Sequence, residues 1–196
     1  MSLVDIRRNL ASRITDPMVG ILSKSGITPN ALTLINLALS IVSACVIATG
    51  HFLLGGVLVL VSGLFDLLDG ALARFTKRTT KFGAILDSTV DRISEAAILC
   101  GLLIWYLAHG GTLEIALIFA VLIGSFLVSY VKARAEGLGL QCQVGLFTRA
   151  ERVIVLAIGL LINQIFIVLC VLVFFVFFTV VQRLIYLWKQ SKIEGD

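Results

Sequence analysis

Long apolar runs separated by short polar breaks dominate this chain. Ala31 to Gly50, Phe52 to Phe65, Ala96 to Ala108, Leu113 to Val131, Val153 to Ile162 and Ile165 to Leu187 are almost free of charge. Most of these approach the ~20 residues that cross a hydrocarbon core, and the second, third and fifth are extended by polar, charge-bearing turns. The pattern predicts six membrane helices filling residues 28–189 as one domain, with no strand signal. Residues 2–16 mix apolar and charged positions and stop at Asp16, just before Pro17, which predicts a short amphipathic helix lying on the membrane surface. The N-terminus lacks the apolar core and small-residue cleavage site of a signal peptide, so the first span is expected to direct insertion.

Composition agrees with this class: of 196 residues, 59% are hydrophobic and only 14% charged, too apolar for an ordinary soluble domain. The net charge of +4 is unevenly placed. Arg7, Arg8, Arg13 and Lys24 precede the first run; Arg74, Lys77, Arg78 and Lys81 lie between the second and third. Lys132, Arg134, Arg149 and Arg152 lie between the fourth and fifth, with Arg183, Lys189 and Lys192 near the end, whereas the breaks at His51, His109 to Gly111 and Asn163-Gln164 carry no Lys or Arg. By the positive-inside rule, both termini and the basic connections face the cytoplasm of a cell membrane. Topology and attraction to anionic lipid account for the positive charge, so nucleic-acid binding has no support.

Within this apolar background stand four carboxylates, Asp66, Asp69, Asp87 and Asp91, in the segment Asp66-x2-Asp69-Gly70-x2-Ala73-Arg74-x8-Gly83-x3-Asp87-x3-Asp91. Separations of three and four place each pair on one helix face, so two helices can aim four carboxylates at one point. Left unneutralised they repel one another, which makes a purely structural role costly. Hard divalent cations fit an all-oxygen set: Mg2+ or Mn2+, with two ions suiting phosphoryl chemistry. Gly70 and Gly83 let a ligand or a neighbouring helix approach the backbone. A cation channel or transporter would place acidic groups at the midplane or in rings, whereas these cluster at the cytoplasmic ends of the second and third spans beside Arg74. The four cysteines, Cys45, Cys100, Cys142 and Cys170, have no paired spacing and read as small buried packing residues. His51 and His109 fall at the far ends of the spans, away from the aspartates.

The aspartate segment resembles the signature of the CDP-alcohol phosphotransferase family at every fixed position. The resemblance implies an integral membrane enzyme that moves a phosphoalcohol from a CDP-linked donor to an acceptor hydroxyl and releases CMP. It implies that Asp66, Asp69 and Asp87 hold the metals, and that Asp91 completes the site and serves as general base. Arg74, Gly70, Thr80 and the turn Pro29-Asn30-Ala31-Leu32-Thr33 would then hold CDP-diacylglycerol, although Thr28-Pro29-Asn30 is equally a helix-entry turn. Ser129 to Glu136 and Arg149 to Arg152 resemble the prokaryotic branch that transfers phosphatidyl groups to inositol phosphate. That likeness implies an acceptor-phosphate site built from Ser129, Lys132, Arg134, Arg149 and Arg152, joined by Arg183. The loop departs from that branch: Gln141 to Val144 stands where a Gly- and Asp-rich segment is expected, and Ala150 where Pro is usual. Glycerol 3-phosphate is the alternative acceptor. A homodimer is expected by the same resemblance.

Overall fold

The computed structural model describes residue 15, residues 17–142 and residues 144–193, and the architecture they form is all-helical. After a short helical stretch at 17–22 come six longer helices: α1 (Pro29–Ala48), α2 (Phe52–Phe75), α3 (Lys81–His109), α4 (Thr112–Gly137), α5 (Arg149–Leu161) and α6 (Ile165–Ile193). Local signals set their ends. Thr28 caps α1 by accepting the Ala31 N–H at 3.3 Å, with Pro29 in the first turn. Thr80 caps α3 through the Gly83 N–H at 2.9 Å. Thr148 and Glu151 form a capping box at the start of α5. Gly50 and Gly110, both at positive φ, turn the chain after α1 and α3.

Four of these helices, α1, α2, α4 and α6, are long and apolar enough to cross a membrane. Of the six spans expected, these four have that length and apolarity among the described residues, and the two others fall short of it for different reasons. The first half of α3 carries Lys81, Asp87, Asp91, Arg92 and Glu95, which leaves its apolar stretch brief. With 13 residues, α5 is ~20 Å long, less than the ~30 Å of a hydrocarbon core. The expected surface helix over residues 2–16 lies outside the described residues, apart from Thr15, which is buried.

Packing pairs α1 with α2 and α3, α2 with α5, α3 with α4, and α6 with α4 and α5. The main core is aliphatic, drawn from Ile47, Val59, Leu99, Leu102, Leu160, Leu169 and Leu172 with their neighbours. A smaller cluster of Val19, Leu32, Leu68 and Leu72 sits beside the aspartates. Small residues let helices approach closely, as expected where lipid removes the hydrophobic drive for association. A Cβ on Gly101 of α3 would stand 2.4 Å from the Ala44 carbonyl oxygen of α1. The same environment explains why Cys45, Cys100 and Cys170 are exposed, contrary to the expected burial, with only Cys142 buried. An apolar outer face costs nothing when lipid covers it.

Candidate metal and phosphoryl-transfer site

The carboxylates come from two helices that both pack on α1. Asp66, Asp69 and Asp87 each offer an oxygen within 4.8 Å of the others, a spacing that a shared cation can bridge. The donor set is all oxygen, as Mg2+ or Mn2+ requires. Asp69 is only 3% exposed, so its charge needs partners. Thr33 supplies one, its hydroxyl donating to Asp69 Oδ2 at 2.7 Å.

A second support lies under Asp66. The Asn36 side-chain amide donates to Asp66 Oδ1 at 3.3 Å, and Asn36 Oδ1 accepts from the Ser62 hydroxyl at 2.5 Å. The Ser40 and Ser62 hydroxyls then share a hydrogen bond of 2.7 Å. Sequence reasoning missed this network, although a signal was present: Thr33, Asn36, Ser40 and Ser43 recur at separations of three and four inside an apolar run. All four are buried on one face of α1. The groups that orient a metal ligand are as much part of a site as the ligand itself.

Asp91 adjoins the trio, sharing a cation, Arg149, with Asp66. One turn beyond Asp87 on α3, it meets Nη1 of Arg149 at 3.0 Å through Oδ1, and the same Nη1 lies 2.5 Å from Asp66 Oδ1. Arg149, expected among the acceptor-phosphate residues, is thereby brought into the carboxylate cluster as its counter-cation. One turn further along both helices, Arg152 Nε and Nη2 engage Glu95 Oε1 and Oε2 at 2.7 and 2.8 Å. Arg152 is 3% exposed and gives two of its nitrogens to Glu95, so it is buried here rather than on the surface, where the sequence led us to expect it. Glu95 was not singled out from sequence, yet it continues the four-residue spacing of Asp87 and Asp91.

The other residues expected to bind anions separate into distinct settings. Lys132 and Arg134 are exposed near the end of α4, Lys132 lying 3.7 Å from Glu136, and Ser129 is half-buried. Arg183 is buried; its Nε donates to the Val144 carbonyl at 3.0 Å and its Nη1 to that of Val128. It therefore pins the loop before α5 to α4. Gly145 makes room for this guanidinium, since a Cβ there would lie 2.9 Å from Nη2.

Beside the trio a cleft of ≈ 550 Å³ is lined by Pro29, Asn30, Thr33, Gly70, Arg74, Thr80 and Gly83, with Asp69 and Asp87 at its wall. Six of the eight residues expected to hold the donor thus line one cavity. Leu32 does not: it is 1% exposed and packs in the small core cluster. Ala31, half-buried, is also absent from the lining. On the other side of Asp66, an apolar groove of ≈ 640 Å³ runs between α2 and α5 past Leu60, Gly63, Leu64, Leu67, Val153 and Ile154. The site therefore joins a polar cleft and an apolar groove at the carboxylates. His51 and His109 lie at the opposite helix ends, with His109 stacked 3.5 Å over Trp105.

Comparison with known proteins agrees with this geometry. Residues 26–187 match the family model for CDP-alcohol phosphatidyltransferases. The chain is 40% identical over 157 residues to the phosphatidylinositol phosphate synthase of Mycobacteroides abscessus, covering 79% of this chain and 71% of that protein. It is 34% identical over 197 residues to the archaetidylinositol phosphate synthase of Methanothermobacter thermautotrophicus, covering 97% of each. Among solved structures, Mycobacterium tuberculosis phosphatidylinositol phosphate synthase with CDP-DAG bound superposes with a TM-score of 0.80 at 34% identity, covering 90% of this chain and 94% of that one. The same enzyme in complex with manganese and citrate gives a TM-score of 0.79, also at 34% identity, covering 89% and 88%. The match along most of its length, together with the carboxylate trio at the mouth of the cleft, establishes that this chain belongs to the CDP-alcohol phosphatidyltransferase family of membrane enzymes.

Proposed function

We propose that this enzyme transfers a phosphatidyl group from CDP-diacylglycerol to a hydroxyl of inositol phosphate, forming phosphatidylinositol phosphate and CMP. The observation that carries the reading is the pair of hollows that flank the carboxylate trio. A cleft bearing Asn30, Thr33, Arg74 and Thr80 opens beside Asp69 and Asp87, and an apolar groove opens beside Asp66. A lipid nucleotide is the substrate class with that division of polarity. The relatives, named for inositol phosphate products, support the acceptor.

Asp66, Asp69 and Asp87 would hold Mg2+ or Mn2+, in keeping with the manganese in the similar structure. Bound there, two such ions would neutralise the pyrophosphate and polarise the phosphorus under attack. This chain's own residues do the rest. Arg74 and Thr80 receive the nucleotide phosphates in the cleft, while the acyl chains stay in the groove between α2 and α5. Asp91 accepts the proton of the attacking hydroxyl; the new P–O bond forms as the bond to the CMP oxygen breaks, and CMP leaves as the anion. Arg149 stands between Asp66 and Asp91, where a phosphorylated acceptor would arrive, and we read Lys132, Arg134 and Arg183 as further anion-binding positions.

We further read α3 and α5 as completing a six-span bundle through contact with their neighbours, with both termini and the site facing the cytoplasm of the cell membrane and a second copy as partner. The basic residues gathered at one end of the bundle support that orientation. The test is a radiolabel assay in detergent with CDP-diacylglycerol and Mg2+, offering inositol phosphate, glycerol 3-phosphate, free inositol and serine in parallel. Lipid product with inositol phosphate alone is expected; product with glycerol 3-phosphate alone would keep the family and overturn the acceptor.

A further inference from the structure

α3 and α5 face each other through two rungs, one helical turn apart. The lower rung joins Asp91 to Arg149 and the upper joins Glu95 to Arg152. Spacing makes this register possible: Asp91 and Glu95 are four residues apart on α3, and Arg149 and Arg152 three apart on α5. The two rungs differ in how they are held. Arg152 is gripped by both carboxylate oxygens of Glu95, and the pair is buried. Among the described residues, Arg149 meets Asp66 and Asp91 through Nη1, and its Nε, though buried, has no hydrogen-bond partner. Its position is therefore set by these two contacts at Nη1 together with the placing of the helix that carries it.

The upper rung is a costly way to pack two helices. Among the described residues Arg152 Nη1 is buried without a partner, and a well-packed apolar pair is often as stable as a buried ion pair or more so. What a bidentate pair gives in addition is a fixed register, because both atoms of each fork must meet at once. α5 needs such fixing: it is short, and eleven residues of sequence separate its start from the end of α4.

We infer that Glu95 and Arg152 are positioning residues that clamp the first turn of α5 so that the Arg149 guanidinium rests between Asp66 and Asp91. The clamp sets the positive charge felt by the carboxylate trio and fixes where a phosphorylated acceptor meets Arg149; the inference rests on the metal and acceptor reading proposed above. Neither residue touches the reacting atoms.

The test is a metal-binding measurement on the purified full chain in detergent, with Mn2+ followed by electron paramagnetic resonance. Glu95→Gln combined with Arg152→Met removes the clamp while leaving no buried charge unpaired. Released from its place, Arg149 no longer competes for Asp66. Mn2+ binding should tighten about tenfold, the scale on which supporting groups alter a metal site, while KM for inositol phosphate rises more than kcat falls. In an Arg149→Ala background the same pair of substitutions should leave Mn2+ affinity unchanged, which a merely structural role would not predict. A folded double variant with wild-type Mn2+ affinity overturns the inference and leaves the proposed function intact. Wild-type protein that binds no Mn2+ overturns the metal reading, and the inference with it. Should the double variant fail to fold, Arg152→Lys, which keeps the charge and loses the fork, carries the same comparison; failure of both to fold makes the pair a folding element and refutes the positioning role.

Discussion

Replacing Thr33 by Val tests the link between α1 and the metal ligands with little change in shape. Thr33 and Asp69 are each 3% exposed, and the hydroxyl donates to Asp69 Oδ2 at 2.7 Å. Val has nearly the same volume, so no cavity opens, but a buried carboxylate oxygen loses its donor. A hydrogen bond to a charged group contributes about 1.5–3 kcal/mol, equivalent to roughly 10- to 100-fold in an equilibrium constant. Part of that is lost as folding stability, because Asp69 remains buried. The rest falls on the metal, whose ligand is no longer held in one orientation. Mn2+ affinity should weaken about tenfold, with most of the turnover restored at saturating metal. Thr33→Ser keeps the donor and should bind Mn2+ like the wild type. Two titrations decide the matter: Mn2+ binding by electron paramagnetic resonance, and initial rate against free Mg2+. If Thr33→Val matches wild type in both, Thr33 does not orient Asp69, and the argument that α1 builds the site from below is refuted.

Other perturbations probe the remaining parts. Gly101→Ala places a Cβ against the Ala44 backbone of α1, which cannot rotate away, and should cost about 1–3 kcal/mol as overpacking; a melting temperature equal to wild type would show that α1 and α3 have room to spare. Asp91→Asn should remove turnover while leaving a folded chain that still binds CDP-diacylglycerol, and substantial residual activity would rule Asp91 out as the base. Arg74→Gln should raise KM for the CDP-linked donor more than it alters KM for the acceptor, since Arg74 lines the cleft and lies outside the carboxylate trio; an effect confined to the acceptor would contradict the placing of the nucleotide there.

Much of this architecture was legible in the chain because lipid-facing helices announce themselves as uninterrupted apolar runs. The starts of α1, α2, α4 and α6 lie within two residues of those runs, whereas α2, α4 and α6 continue 10, 6 and 6 residues past them, because a helix does not stop where its apolar stretch does. The helix pairs bearing Asp66 and Asp69, and Asp87 and Asp91, were readable because three- and four-residue spacings leave few alternatives. The roles of the arginines were not. Position in a basic connection says that a residue lies near the cytoplasmic end of a helix, but not which way it points around the axis. Arg149 and Arg152 are three residues apart and both turn inward, one onto Asp66 and Asp91 and the other onto Glu95. Leu32 shows the same gap: inside a motif said to bind the donor, it turns into the core while its neighbour Thr33 turns to the site. The polar stripe of α1 was readable in principle, but single Ser and Asn residues in apolar runs are also ordinary helix-to-helix glue. Only their convergence on Asp66 gives them a role.

The most direct test of the central claim is to follow CMP release and lipid product together by mass spectrometry. Purified protein would be given CDP-diacylglycerol and inositol phosphate, with Mg2+ or with excess chelator. The account predicts equal amounts of CMP and phosphatidylinositol phosphate with Mg2+, neither with chelator, and neither from Asp69→Asn. Product formation that survives chelation, or that persists in Asp69→Asn, would contradict a metal-held phosphoryl transfer at the carboxylate trio.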